Sequence, residues 1–287
     1  SCPRGEIGRH KGLKILALRG VPVRVWPRAP KIMNKYHFVF DKTKKANKLK
    51  KIIRQSYKSF SPKKSNVIVV AGGDGFMLRT IKKYYRLNKP FYGINCGSIG
   101  FLMNKYISKK IKENIVKSKI TIIHPLQINT ISSSKKRNYF LALNELSLFR
   151  QSKQTAILKL KINSKVLTKK LIGDGILVST PAGSTAYNLS VNGPILSLNS
   201  KKLAITPISP FRPRRWRGKV ISDKMSIFIS NVDPKKRPIA AVADNNEVRN
   251  ISKVRVKINK KIKFKLLFNL KESLIKKIKL EQKRKIN

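Results

Sequence analysis

Four acidic residues, Asp74, Glu145, Asp174 and Asp244, stand beside glycine or asparagine in a chain that has only 12 Asp+Glu. Asp74 lies in Gly72-Gly73-Asp74-Gly75, directly after an apolar run and before a helical pattern. Glycines at such a turn let backbone N–H groups approach a phosphate, and a helix N-terminus favours anions. An aspartate there opposes phosphate and needs another task. It could take the proton of a hydroxyl nucleophile or hold Mg²⁺ against the phosphates. A tight turn with a helix-capping Asp is the structural alternative. Asn95–Phe101, through Cys96-Gly97-Ser98-Ile99-Gly100, repeats the device. Two glycine turns at the carboxyl ends of neighbouring parallel strands would line one crevice; an ordinary strand-to-helix turn is the alternative.

Asn144-Glu145 interrupts the apolar stretch Phe140–Phe149. A buried strand keeps such a pair only when something pairs with it, because unpaired polar burial is unfavourable. A ligand's hydroxyls would serve, or the pair lies at an exposed edge. Gly173-Asp174-Gly175 leads through Ile176–Val178 into Ser179-Thr180-Pro181-Ala182-Gly183-Ser184-Thr185-Ala186-Tyr187-Asn188-Leu189-Ser190. Small residues and hydroxyls gathered there suit close hydrogen bonding to a base or sugar, and this is the most specific segment of the chain.

The elements that must position these residues follow from periodicity. A short strand is expected over Lys35–Phe40. A basic helix is expected over Lys42–Phe60, with Leu49, Ile52, Ile53 and Tyr57 at helical spacing. Asn66–Val70 reads as a buried strand, Met77–Arg86 as a helix and Pro90–Asn95 as the next strand, the pattern of a parallel α/β sheet. After about Ile120 the texture changes. Leu158, Leu160 and Ile162 alternate with lysines up to a turn at Asn163-Ser164. Val254, Val256 and Ile258 alternate up to Asn259-Lys260, and Ile262, Phe264 and Leu266 follow. Period-two alternation with short turns predicts antiparallel sheet. The expected division is an α/β domain over 33–122, a β-rich domain over 123–268 and a C-terminal helix over 269–287.

Residues 1–32 differ from the rest, with five Arg and three Lys against 13 Arg and 45 Lys in the other 255 residues. A basic targeting or nucleic-acid arm is one reading. Another is a non-native extension: suitably chosen codons for Val21–Pro30 give a string like the end of a transfer-RNA gene, and Met33 would then be the start.

The 287 residues are 41% hydrophobic, enough for a core, and the longest apolar runs are too short to cross a bilayer. Two cysteines and three histidines exclude a disulfide scaffold and a Cys/His zinc site, and fit a reducing, cytoplasmic compartment. The 66 Lys+Arg give a net charge of +54, which suits a nucleic-acid binder. The lysines are spread along the whole chain, however, and Lys, Ile and Asn share A/T-rich codons, so composition drift with a solvated lysine surface also accounts for the charge.

Taken in order, these segments resemble the NAD kinase family, over roughly Val67 to Phe268. The run Thr206-Pro207-Ile208-Ser209-Pro210-Phe211-Arg212-Pro213-Arg214-Arg215-Trp216, then Ala241-Val242-Ala243-Asp244-Asn245, looks like its alphaproteobacterial branch. The resemblance implies an α/β N-terminal domain, an antiparallel β-rich C-terminal domain and an active site between them. It implies phosphoryl transfer from ATP, with Mg²⁺, to the 2′-hydroxyl of the adenosine ribose of NAD⁺. Asp74 would be the general base, and Gly72, Gly73 and Gly75 would serve the donor phosphates; a basic side chain such as Arg79 suits the charge of the phosphoryl group, a surface salt-bridge partner on the helix being the alternative for that arginine. The NAD⁺ contacts implied are Asp74, Gly75, Asn144 for ribose hydroxyls, Glu145 and Asp174 for the nicotinamide side, and Ala182, Thr185, Ala186, Tyr187, Asn188, Leu189 and Ser190 around the adenine. A homodimer or homotetramer is implied, with no membrane and no nucleic-acid partner. Three positions depart from the family pattern: Phe76 stands where Thr is common, Asn245-Asn246 where Gly-Gln is common, and Ile172 where a polar residue is common. The competing readings are a lipid kinase of the diacylglycerol or sphingoid-base type, which shares the glycine turn but not the Ser179–Tyr187 run, and a basic nucleic-acid binder on a kinase-like fold.

Overall fold

The computed structural model describes residues 35–98, 100–106, 110–270 and 277. The first unit contains Tyr36–Phe40 (β1), Lys44–Ser56 (α1), Val67–Gly72 (β2), Asp74–Tyr84 (α2), Phe91–Asn95 (β3), Ile111–Lys117 (α3) and Lys119–Ile123 (β4). The second contains Leu126–Ser132 (β5), Arg137–Ala142 (β6), Glu145–Arg150 (β7), Ala156–Ile162 (β8), Lys165–Gly173 (β9), Gly175–Ser179 (β10), the short helix Tyr187–Ser190 (α4) and Lys202–Ile208 (β11). It continues with Lys219–Ser222 (β12), Ile227–Asn231 (β13), Ile239–Ala243 (β14), Asn246–Val248 (β15) and Ile251–Ile258 (β16). Phe264–Phe268 (β17) is the last described strand.

The expected α/β plus antiparallel-β plan is present. β1, β2 and β3 pair in parallel, and every residue of β2 is buried, as its unbroken apolar sequence requires. α1 is capped by the Thr43 hydroxyl accepting from the Ala46 N–H at 3.3 Å, and buries Ala46, Leu49 and Ile53. Ile52, expected on that face, is 49% exposed. The second unit stacks two six-stranded sheets, in the orders β12-β11-β10-β7-β14-β15 and β6-β5-β16-β13-β8-β9. Their inner faces share one core: Ile128, Leu158, Leu160, Ile227 and Val256 of one sheet pack with Leu146, Leu148, Ile176, Val178 and Ile205 of the other.

Two expectations change. The strand after Asn259-Lys260 does not pair with β16. β17 crosses back to the first sheet, parallel to β3 and antiparallel to β4, giving the order β1-β2-β3-β17-β4. Alternation specifies a strand with one buried face but not which sheet receives it, so the unit drawn as 123–268 gives up its last strand to the first domain. Likewise Asn144-Glu145 does not interrupt one strand: β6 and β7 belong to different sheets, and the pair lies where the chain passes between them. The N-terminal stretch 1–32 lies outside the described residues, as does the expected helix 269–287 apart from Asn269, Leu270 and Lys277.

Candidate active site

Asp74 is the first residue of α2, following the extended N-cap Gly73. Its carboxylate accepts the N–H of Phe101 at 2.8 Å and of Leu102 at 3.0 Å, one on each oxygen. Burial pushes its pKa up, opposed by those two N–H groups and by the nearby Lys277 charge. Lys277 also donates to the Phe101 and Met103 carbonyls, so it braces the loop that holds Asp74. The two glycine turns do meet: the Cys96 N–H donates to the Gly72 carbonyl at 2.8 Å, and a Cβ on Gly97 would lie 3.9 Å from the Gly73 Cα. Gly73 and Gly75 border open space, since a Cβ at either meets nothing within 4 Å. Gly72 differs, because a Cβ there would strike the Phe76 ring at 2.7 Å. Phe76 in turn carries the exposed Arg79 guanidinium at 5.7 Å from its ring centroid.

The Asn144-Glu145 turn is held entirely through its main chain. The Asn144 N–H donates to Asp244 at 2.9 Å and its carbonyl accepts the Thr180 N–H at 2.9 Å. The Thr180 hydroxyl donates to the Leu143 carbonyl at 2.6 Å and accepts from the Gly183 N–H at 3.1 Å. Both side chains are thereby left for something else: Asn144 Oδ1 and Glu145 Oε2 are buried without a hydrogen-bond partner. Burial, and secondarily the Asp244 charge, pushes the Glu145 carboxyl up to about 8, so it is protonated at neutral pH. A cleft of about 560 Å³ runs along β7 from Glu145 past Ser147 and Phe149 to Arg150, with Tyr187 and Asp244 also on its walls.

Asp174 lies at the far end of that strand pair. Gly175 faces Phe149 and Ser179 faces Glu145 in the register, so Asp174 is ~16 Å along the strand from Ser179. There its carboxylate accepts from Arg150 Nε at 2.6 Å, a partner that no feature of the sequence singles out. Within the Thr185–Ser190 segment, Tyr187 is 39% exposed and Ser190 is exposed, whereas Asn188 is buried. The Asn188 amide donates to the Ser184 and Pro194 carbonyls and accepts the Thr206 hydroxyl, so it locks the turn from within. Thr185 is buried and donates to the Ala182 carbonyl at 3.5 Å, while Ala186 and Leu189 are half-buried. Ala182 is buried in the apolar cluster that contains Met77, Leu78 and Ile81 of α2 and Leu143, and it borders a second cavity of about 550 Å³ with His124 and Leu198. Sequence reading gave no role to Lys82 or Lys277. Both are ordinary lysines among 66 basic residues.

Among the described residues no group of three or more His, Cys, Asp or Glu could hold a metal ion, and no helix is long and apolar enough to cross a membrane.

Residues 14–118 match the model of the ATP-NAD kinase N-terminal domain, and residues 143–266 that of the ATP-NAD kinase C-terminal domain. The chain is 39% identical over 251 residues to NAD kinase of Zymomonas mobilis, covering 87% of this chain and 97% of that one. It is 42% identical over 250 residues to NAD kinase of Rickettsia prowazekii, covering 87% and 98%. Two solved structures share the fold, each with a TM-score of 0.67: yeast NADH kinase complexed with NADH (22% identity, 78% of this chain, 68% of that one) and an NAD kinase from Archaeoglobus fulgidus in complex with ATP (21% identity, 85% and 98%). The half-buried aspartate after an open glycine turn, the unpartnered Asn-Glu side chains and both matched domains lead to one statement: the chain belongs to the ATP-NAD kinase family, whose reaction is the ATP-dependent phosphorylation of NAD⁺.

Proposed function

We propose that Asp74 is the general base of this reaction, with Asn144 and Glu145 holding the acceptor and the Gly72–Gly75 turn receiving the donor phosphates. The observation that carries this reading is the Asp74 carboxylate itself, half-buried at the start of α2 beside glycines that border open space. The ribose 2′-hydroxyl oxygen attacks the γ-phosphorus of ATP, its proton passes to Asp74, and ADP leaves with the electrons of the broken P–O bond. A carboxyl raised by burial is a stronger base near neutrality than an exposed one, and positioning lowers the barrier further. The helix N-terminus and the Arg79 guanidinium are suited to the charge on the phosphoryl group.

Asn144 Oδ1 is a free acceptor for a ribose hydroxyl, and a protonated Glu145 can donate as well as accept. Gly75, Ala182 and Tyr187 complete the contacts assigned to NAD⁺ in this reading, with Ser190 at the edge. Thr185, Ala186, Asn188 and Leu189 give the segment its shape. Asp174 lies at the far end of the β7–β10 pair, where it is held by Arg150, a residue that does line the cleft. Mg²⁺ fits as an ion carried by ATP and held chiefly by the substrate phosphates and water, which leaves the Asp74 carboxylate to take the proton. Bound there, it would neutralise phosphate charge.

A homodimer or homotetramer is the finer reading of the partners, supported by Phe149, Tyr187 and Val220 exposed around the second sheet. A cytoplasmic location is supported by the sparse cysteines. The test of function is incubation with ATP, Mg²⁺ and NAD⁺, with NADP⁺ detected by an NADP-specific dehydrogenase. Formation of NADP⁺ is expected in the wild type. Wild-type turnover in the Asp74→Asn variant would remove the general-base role.

A further inference from the structure

Lys82 and Asp244 sit on different domains and touch. Lys82 rides α2 eight residues after Asp74, about 12 Å further along the same helix. Its ammonium lies 2.8 Å from Asp244 Oδ2, and the Asp244 side chain is 1% exposed. The same carboxylate accepts the Leu143 N–H on Oδ2 and the Asn144 N–H on Oδ1, each at 2.9 Å. One carboxylate therefore joins the helix that carries Asp74 to the turn that carries Asn144 and Glu145. The ion pairs Arg150–Asp174 and Arg249–Glu247 lie within the second domain and Lys260–Asp223 ties the segment leaving β16 to the turn after β12, whereas Lys82–Asp244 joins α2 of the first domain to the second.

Each residue has a plainer explanation taken singly. Asp244 is the first residue of the two-residue turn between β14 and β15, at φ 51, where Asp or Asn is at home. Lys82 is one lysine among many. Neither explanation predicts that the carboxylate turns inward, is buried, and is met there by a cation from the other domain. The junction already has apolar contacts through Met77, Leu78 and Ile81 with Leu143 and Ala182, which hold the domains together. Apolar contact is non-directional and leaves the relative setting of the two walls loose; a charged hydrogen bond at 2.8 Å fixes direction and distance. For an in-line transfer, a misplacement of about 1 Å can reduce the rate about 100-fold.

We infer that Lys82 and Asp244 are a positioning pair, setting the Asn144-Glu145 turn at its working distance from Asp74. The inference rests on the roles proposed for Asp74 and Asn144. The pair touches neither substrate in this scheme. It acts through α2 on one side and through two backbone N–H groups on the other.

The test uses the full chain with three single variants and one double variant, each checked for folding by circular dichroism and thermal midpoint. Lys82→Met removes the cation, Lys82→Arg keeps charge and reach, and Asp244→Asn keeps the turn residue and its shape while removing the charge. Expected are at least a tenfold loss of kcat at saturating NAD⁺ and ATP in Lys82→Met and Asp244→Asn, and retention within threefold in Lys82→Arg. The double variant is expected within twofold of the weaker single, because both remove one device. A folded Lys82→Met variant with kcat and both KM values within twofold of wild type would overturn the proposal, even with a lowered thermal midpoint. Equal loss in Lys82→Arg would overturn it too. Should Asp244→Asn fail to fold, Lys82→Met still decides, since the lysine side chain is 30% exposed. An Asp74→Asn variant that kept turnover would remove the general-base reading and leave the Lys82 comparison intact.

Discussion

The Thr206 hydroxyl donates to the Asn188 amide oxygen across 2.7 Å, tying β11 to the turn that follows β10. Both residues are buried, and Asn188 also donates to the Ser184 and Pro194 carbonyls. Thr206→Val removes the donor and leaves the amide oxygen buried without a partner. A loss of about 1–3 kcal/mol in urea unfolding is expected, with KM for NAD⁺ rising because Tyr187 sits on the loosened turn.

Asp74→Asn should reduce kcat by about 10²–10⁴-fold while NAD⁺ binding, read by calorimetry, stays within a few-fold. The amide oxygen can replace only one of the two acceptors used by Phe101 and Leu102, so a modest fall in thermal midpoint accompanies the loss. A variant that lost binding and turnover together would instead mark Asp74 as part of the scaffold.

Two glycines give opposite expectations. Gly75 borders open space at the second position of α2, so Gly75→Ala should leave stability unchanged or raise it by up to about 1 kcal/mol, while turnover falls because the new methyl occupies the phosphate approach. A Cβ on Gly183 would lie 2.2 Å from the Asn144 carbonyl oxygen and 2.6 Å from its Cα. Gly183→Ala should therefore displace the Asn144-Glu145 turn, with a loss of about 3 kcal/mol or more. Parallel denaturation and rate measurements on the two variants separate the cases.

Glu145 gives a pH dependence. Its folded pKa of about 8 stands above the ordinary 4.5, so between those values the folded protein holds a proton that the unfolded chain has released. Stability from this group is fully present below 4.5 and is lost as pH rises through 8, with a slope of at most about 1.4 kcal/mol per pH unit. Glu145→Gln should flatten the difference. Urea midpoints at pH values of about 5.5, 6.5 and 7.5 for both proteins check it; an unchanged slope in the variant would assign the dependence to other groups.

The glycine turn was legible because its signals are local: an apolar run, Gly72-Gly73-Asp74-Gly75, then helical spacing. The helix nevertheless begins at Asp74 rather than near Met77, since packing of Met77, Leu78 and Ile81 extends it over residues with weak intrinsic preference. The Asn144-Glu145 turn was recognisable as a polar anomaly but not as a change of sheet, because Phe140–Ala142 and Leu146–Leu148 are similarly apolar on either side. Asp244 was conspicuous by its scarcity, yet its partner was not: among so many lysines nothing local distinguishes Lys82. The family resemblance puts Asp174 and Glu145 together on the nicotinamide side, whereas nothing local in the sequence reveals the strand register, which sets Asp174 at the far end of the β7–β10 pair from Glu145.

The return of β17 to the first sheet has a consequence for synthesis on the ribosome. Residues 126–258 are contiguous and can close their two sheets as soon as they emerge. The first domain cannot, although its strands are made earlier, because β3 and β4 are joined only through β17. The domain that begins first is thus completed last, and a chain released at residue 258 would carry a finished second domain beside a first sheet split open between β3 and β4.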